Sequence, residues 1–481
     1  MHTLRLPNGV TVHLLPSDDK VAYVFMGVRG GVACEPTAAH GLTHFVEHML
    51  FRGAGEYGDP ELLDEFVKLG ATMDAETFRD AMVLQARCLN AAVLVKRIVA
   101  LFGMIAASPR FENLEAERSV VALETQADFN EEGRLTDPES LIRMQAWDSP
   151  MARPILGSPS IVANVTRGAL LDWHRQLFVG KNMCVGIACR DPDKIVKTIR
   201  DSFAKLPSGQ AMTSWPTATC VGAPVWVQPA EAGTVTLFLS YPLPPDARHV
   251  AAVLEQLADN GITGGLRQSI VNDAGLAYSL LVESVHYEGA GRFDVTVECA
   301  PDTAMDVLKR TVRSLRALRD VSVEAVEQAR RLTECEYASG ETAASQAYRE
   351  VLETLSGHTL LDVSKVSARD VAALAQQAFR PKLATLLVSG DVTRELVADV
   401  ELFMGREVGT ALWLEELPDA DEGSEGHGGG DDDIADVDFD LPLGGDEVFD
   451  TRAYDADTVW ELSSDDERMQ ALIVPGSSGM N

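Results

Sequence analysis

Apolar and polar residues alternate on either side of Asn8-Gly9 in "HTLRLPNGVTVHLLP" (2–16), a pattern that predicts a β-hairpin. "VAYVFMGVRGG" (21–31) predicts another strand. The period then lengthens to that of a helix in "GLTHFVEHML" (41–50) and in "ELLDEFVKLG" (61–70), which Gly70 stops. "AVLVKRIVALFGMIAAS" (92–108) predicts a long apolar helix ended by Pro109, and "EAERSVVALETQADF" (115–129) predicts a further one.

The pattern then recurs. "LLDWHRQLFVGKNMCVGIACRD" (170–191) matches "VAALAQQAFRPKLATLLVSGDV" (371–392), with Gln176, Phe178 and Lys181 standing 201 positions before Gln377, Phe379 and Lys382. "TVTLFLSYPLP" (234–244) likewise repeats 21–31. The expected fold is α+β, with two homologous halves of about 200 residues, each a mixed, mostly antiparallel sheet flanked by helices. The expected boundaries are 1–205 and 225–414, joined by the Pro-, Ser- and Gly-containing segment 206–224.

Charge alters the picture only at the end of the chain. The formal net charge is −32, and from Glu415 to Arg468 21 acidic residues face two arginines, a net of −19. Residues 415–481, with "DADEGSEGHGGGDDDIADVDFD" at 419–440, are therefore expected to be a mostly disordered acidic tail. His427 within it is expected to be solvated rather than a ligand. Excess negative charge argues against nucleic acid as a partner. No apolar run approaches a membrane span, and residues 1–16 are expected to be mature protein rather than a signal peptide. Seven scattered cysteines without a Cys-x-x-Cys pair suit reduced thiols and a cytoplasmic setting.

Candidate chemistry sits in 41–50. On a helix, His44 and His48 are one turn apart on one face, so their imidazoles can converge on a divalent metal. Glu47 borders the same face. Imidazole and carboxylate suit zinc, and a catalytic zinc keeps three protein ligands plus a water, so a third ligand must come from elsewhere. The same pentapeptide also reads as a core helix whose histidines are satisfied by neighbouring backbone.

The longer stretch "GVACEPTAAHGLTHFVEHMLFRGAGEY" resembles the signature of the inverted-zincin peptidases, the pitrilysin family. The agreement covers "LPNGVTV", the Glu35-Pro36 lead-in, the H-x-x-E-H helix and the "MLFRGA" exit. The resemblance implies a third ligand about 76 residues beyond the second histidine; in "ERSVVALE" that residue is Glu124, with Glu117 two turns earlier on the same face orienting a ligand. It implies one Zn2+ per chain and hydrolysis of extended or unfolded peptides in a clamshell chamber, with Glu47 taking the proton of the attacking water. It also implies a substrate-binding edge strand. There "GATMDAETFRD" places Asp74 for the family's Asn, beside Ala75, and Asp80 for its Glu.

In the second half the family carries an arginine followed by Gly-Leu-Ala-Tyr. Here "SIVNDAGLAYSLLVESV" keeps Gly275, Leu276, Ala277 and Tyr278, the last a candidate to bind the tetrahedral intermediate, but has Val271 at the arginine position. Arg267 reads as a surface charge. Alternative expectations are a weak or inactive subunit acting as a homodimer or as a heterodimer with a second family member, or a non-enzymatic peptide-binding scaffold.

Overall fold

The computed structural model describes residues 1–36, 39–130, 134–212, 224–259 and 265–416. The expected acidic tail beyond Glu416, and most of the expected joining segment, lie outside them. The strands are β1 (His2–Arg5), β2 (Thr11–Pro16), β3 (Val21–Arg29), β4 (Thr72–Thr77), β5 (Ala81–Leu89), β6 (Met183–Cys189), β7 (Trp226–Pro229), β8 (Val235–Leu243), β9 (Ala277–Tyr287), β10 (Ala290–Cys299), β11 (Thr385–Gly390) and β12 (Leu412–Trp413).

They form two six-stranded sheets, ordered β1-β2-β6-β3-β5-β4 and β12-β7-β11-β8-β10-β9. Five consecutive strands of each order, β2-β6-β3-β5-β4 and β7-β11-β8-β10-β9, correspond one to one, and β2–β6 and β7–β11 are the matching parallel pairs. The repeat offset survives in the register. Val24 pairs with Ile187, Leu237 pairs with Val388, and Ile187 and Val388 stand 201 positions apart. The predicted hairpin is β1–β2, closed through Gly9 at φ 107°. The predicted helices appear as Leu42–Met49, Glu61–Lys68, Ala92–Ala107 and Leu114–Ala127.

One feature of the packing is not visible in the repeat. Each half lends a helix to the sheet of the other. Helix Ala343–Ser356 lays Ala344, Ala347, Tyr348, Val351 and Leu355 on Leu15, Phe25, Val83, Cys184 and Ala188 of the first sheet. Glycine makes room for it: a Cβ on Gly186 would stand 2.6 Å from the Ala347 carbonyl oxygen, and one on Gly27 2.6 Å from a Val351 methyl. Reciprocally, Leu141 and Met144 of helix Pro138–Ala146 pack on Trp226 and Leu387 of the second sheet. Between these contacts Trp147 is surrounded by the buried Arg79, Arg143 and Arg292, whose guanidinium carbons lie 5.3, 5.9 and 6.0 Å from its ring. Arg143 is paired with Asp294, so this charge is compensated across the junction. Among the described residues no helix is long and apolar enough to cross a membrane.

Candidate metal centre

The helix Leu42–Met49 is fixed before its histidines are used. Leu42, Phe45, Val46 and Met49 are buried in the first core. Gly41 precedes the helix at φ 93° and has no side chain to cap it. Glu35 does so instead, its carboxylate accepting the Gly41 amide at 2.7 Å and the Thr43 amide at 2.6 Å. A carboxylate there meets the positive end of the helix dipole. Burial nonetheless pushes the Glu35 carboxyl up to about 7. Gly41 abuts Gly157, where a Cβ would come within 2.7 Å of the facing Cα.

On this support, Nε2 of His44 and Nε2 of His48 lie 3.2 Å apart. Helix Leu114–Ala127 crosses beside them, anchored by Arg118, which donates to the Val165 carbonyl at 2.8 Å and stacks on the Phe45 ring. It delivers Glu124 Oε2 to 3.0 Å from His48 Nε2 and 3.5 Å from His44 Nε2. Atoms about 2.1 Å from a tetrahedral zinc are about 3.4 Å from each other, so the three donors fit such an ion. Among the described residues these three are the one group of His, Cys, Asp or Glu side chains whose donor atoms converge closely enough to hold a metal.

Glu117, two turns before Glu124, accepts a hydrogen bond from His48 Nδ1 at 2.9 Å, which leaves the Nε2 lone pair for the metal. Arg52 pairs with the other Glu117 oxygen and reaches Asp59 at 3.4 Å. Burial raises the Glu117 pKa, but His48 and Arg52 outweigh it and hold the carboxyl below its usual range. Burial likewise opposes charge on His48, yet Glu117 and Glu124 carry its pKa up to about 10. The field at this point strongly favours a cation. His44 is shifted the other way, lowered well below its usual value by burial and then by its neighbour His48. Its Nδ1 is buried with no hydrogen-bond partner among the described residues.

Glu47 stands beside the three donors and is not one of them. Thr77, at the end of β4, donates its hydroxyl to Glu47 Oε2, tying the carboxylate to the sheet edge. Burial pushes the Glu47 carboxyl up to about 7, near the range of a general base at neutral pH.

The remaining candidates divide. Among the described residues β4 is the outermost strand, with no strand paired to its outer edge, and it carries Asp74 and Ala75. Asp74 accepts the Ala75 amide at 2.9 Å. Asp80 lies in the β4–β5 turn and is 8% exposed. Tyr278 is the second residue of β9, the outermost strand of the second sheet among the described residues, 70% exposed and with no protein partner for its hydroxyl among those residues. Val271 packs against the second core. Arg267 pairs with Asp259 at 2.7 Å and so is a tie within the second half.

Sequence reading missed Glu35, Arg52 and Thr77 as supports. Glu35 and Arg52 flank the histidine helix and Thr77 lies in "GATMDAETFRD". Arg52, one turn beyond His48, has the spacing to be noticed.

Two family models match successive segments of the chain. "Insulinase (Peptidase family M16)" matches residues 12–158 and "Peptidase M16 inactive domain" matches 164–333. An uncharacterized zinc protease of Mycobacterium tuberculosis is 26% identical over 405 residues, covering 77% of this chain and 89% of that protein. The mitochondrial-processing peptidase subunit beta of Saccharomyces cerevisiae is 26% identical over 217 residues, covering 44% and 46%. Among solved structures, a peptidase M16 inactive domain from Pseudomonas fluorescens superposes with a TM-score of 0.71 at 14% identity, covering 82% of this chain and 98% of that one. With both models of the family matched in order, the chain belongs to peptidase family M16.

Proposed function

We propose that this protein is a zinc-dependent endopeptidase acting on extended or unfolded peptides, with His44, His48 and Glu124 as ligands and Glu47 as general base. The observation that carries the reading is the convergence of those three donors within 3.5 Å of one another beside a buried carboxylate that is not a ligand. Bound there, zinc would polarise the scissile carbonyl and acidify the attacking water. Glu47 accepts that water's proton and returns it to the leaving amine, and Thr77 keeps its carboxylate aimed. The outer edge of β4 pairs with the peptide backbone beside Glu47, to which Thr77 ties this strand. Zinc proteases among the relatives support the cofactor assignment. Free thiols at the six described cysteines fit a cytoplasmic location.

The test is hydrolysis of a quenched peptide library by the purified chain. Cleavage is expected, with loss on chelation and recovery on adding zinc. A zinc-loaded chain that cleaves nothing alone favours a second reading, a subunit that needs a homodimer or heterodimer partner. Val271, packed against the second core at the position where the family resemblance implies an arginine, is the observation behind that reading.

Tyr278 supplies a finer test. Its exposed hydroxyl on an edge strand is free to donate to an oxyanion. Tyr278→Phe is expected to lower kcat by up to ~10²–10³-fold, with zinc content unchanged. Unaltered kinetics would assign Tyr278 to the wall of the second half alone.

A further inference from the structure

β4 is held near its end from both faces. Successive side chains of a strand point to opposite sides, so Met73, Ala75 and Thr77 turn one way and Thr72, Asp74 and Glu76 the other. Met73 and Ala75 pack on the first core, and Thr77, on their face, ties to Glu47. On the opposite face Glu76 accepts a hydrogen bond at 3.1 Å from the hydroxyl of Tyr348, which belongs to helix Ala343–Ser356 of the second half. The two ties grip adjacent residues, one through each face of the strand.

Tyr348 is itself firmly placed. It is 7% exposed, packs with Phe25 and Val83, and its ring lies 5.3 Å from that of Phe25 at 59°. Val83 is the register partner of Glu76 on β5, so the ring packs on one member of a cross-strand pair and its hydroxyl binds the other. Burial first, and then the Glu76 carboxylate, raise the Tyr348 pKa well above its usual value, so the hydroxyl stays protonated and donating. What such a pair of ties controls is roll. An edge strand offers a partner its outward N–H and C=O groups, and their direction changes as the strand turns about its own axis. β5 holds only the inner edge of β4, along which the strand can still turn, and a tie on one face alone would let it tip.

We propose that Tyr348 is a positioning residue for substrate: from the second half it sets the roll of β4 through Glu76, and so aims the outer edge of that strand at the backbone of an extended peptide. The roles of the two ties divide by face. Thr77 acts on the carboxylate that moves the proton, and Tyr348 acts on the strand that holds the peptide. The second half thereby takes part in peptide binding through a buried hydroxyl.

The inference rests on reading β4 as the peptide-binding edge of a peptidase, and the test keeps the two readings apart. In the full-length chain, Tyr348→Phe removes one oxygen. KM for a quenched extended peptide is expected to rise about 2–10-fold, the net contribution of one hydrogen bond, with kcat and zinc content unchanged. Glu76→Ala should give the same rise, and Glu76→Gln, whose amide oxygen still accepts, should not. Tyr348→Phe/Glu76→Ala should add nothing to either alone. Val351, on the same helix, stands over Gly27 of β3 and Gly186 of β6, so Val351→Ala is expected to lower Tm with KM unmoved. An unchanged KM in Tyr348→Phe overturns the proposal, as does an equal rise in Val351→Ala or a loss carried by kcat. Where the chain alone cleaves no peptide, its reading as a self-sufficient peptidase fails, and amide exchange over residues 72–77 decides this one. Exchange faster in Tyr348→Phe than in Val351→Ala is expected, and equal exchange overturns the proposal.

Discussion

Glu47→Gln is expected to lower peptide hydrolysis by roughly 10²–10⁴-fold, the contribution of a positioned general base, while zinc stays at about one per chain. The substitution is nearly isosteric. Its amide oxygen can still accept the Thr77 hydroxyl, so β4 and the helix Leu42–Met49 stay joined, and the three donor atoms are untouched. What is lost is the capacity to hold the water's proton. Metal content, measured beside the rate, separates the outcomes. Zinc retained with hydrolysis intact would remove Glu47 from the mechanism, and zinc lost would make it a structural support.

The ligand series should show the opposite coupling. His44→Ala, His48→Ala and Glu124→Ala each take away one of three donors, so zinc content and activity are expected to fall together. His48→Ala also orphans Glu117, whose buried carboxylate would keep only Arg52 as a strong partner. Glu117→Gln is the graded case. It keeps a group able to meet His48 Nδ1 but removes the charge that makes the imidazole a better donor, and a 10–100-fold loss of zinc affinity is expected, on the order seen for such outer carboxylates. Isothermal titration of the metal-depleted protein measures it. Histidine variants that change stability but not zinc content would return the pair to the role of ordinary core residues.

The histidine pair was legible because its parts are local, whereas Glu124 was singled out only by the family resemblance and its distance from His48. Two histidines one turn apart, and two glutamates two turns apart, need only helical periodicity to be placed on common faces. The repeat was legible for a similar reason, since 170–191 and 371–392 each contain a whole helix-to-strand unit. What escaped depends on contacts between distant segments. Asp80 could be aligned with a family position, but its burial follows from the turn that closes β4 on β5, with its carbonyl bound by the Gly30 amide. Val271 could be seen to replace an arginine, but not that it would face the second core. Glu35 as the cap of the histidine helix needs the chain to fold back over six residues.

The crossed-over helices bear on how such a molecule can open. Helix Ala343–Ser356 is wedged on the back of the first sheet, and its Tyr348 hydroxyl also donates to Glu76 on β4 at 3.1 Å. Swinging the halves apart like two free jaws would strip Phe25, Val83 and Cys184 of their cover on one side and Trp226 and Leu387 on the other. If peptides are admitted as proposed, entry with both back faces still covered would come from sliding along these helices or from yielding at the rim. The same interlock makes each half a chaperone for the other: a nascent chain ending at residue 212 would present an apolar sheet to water until residues 343–356 arrived to close it.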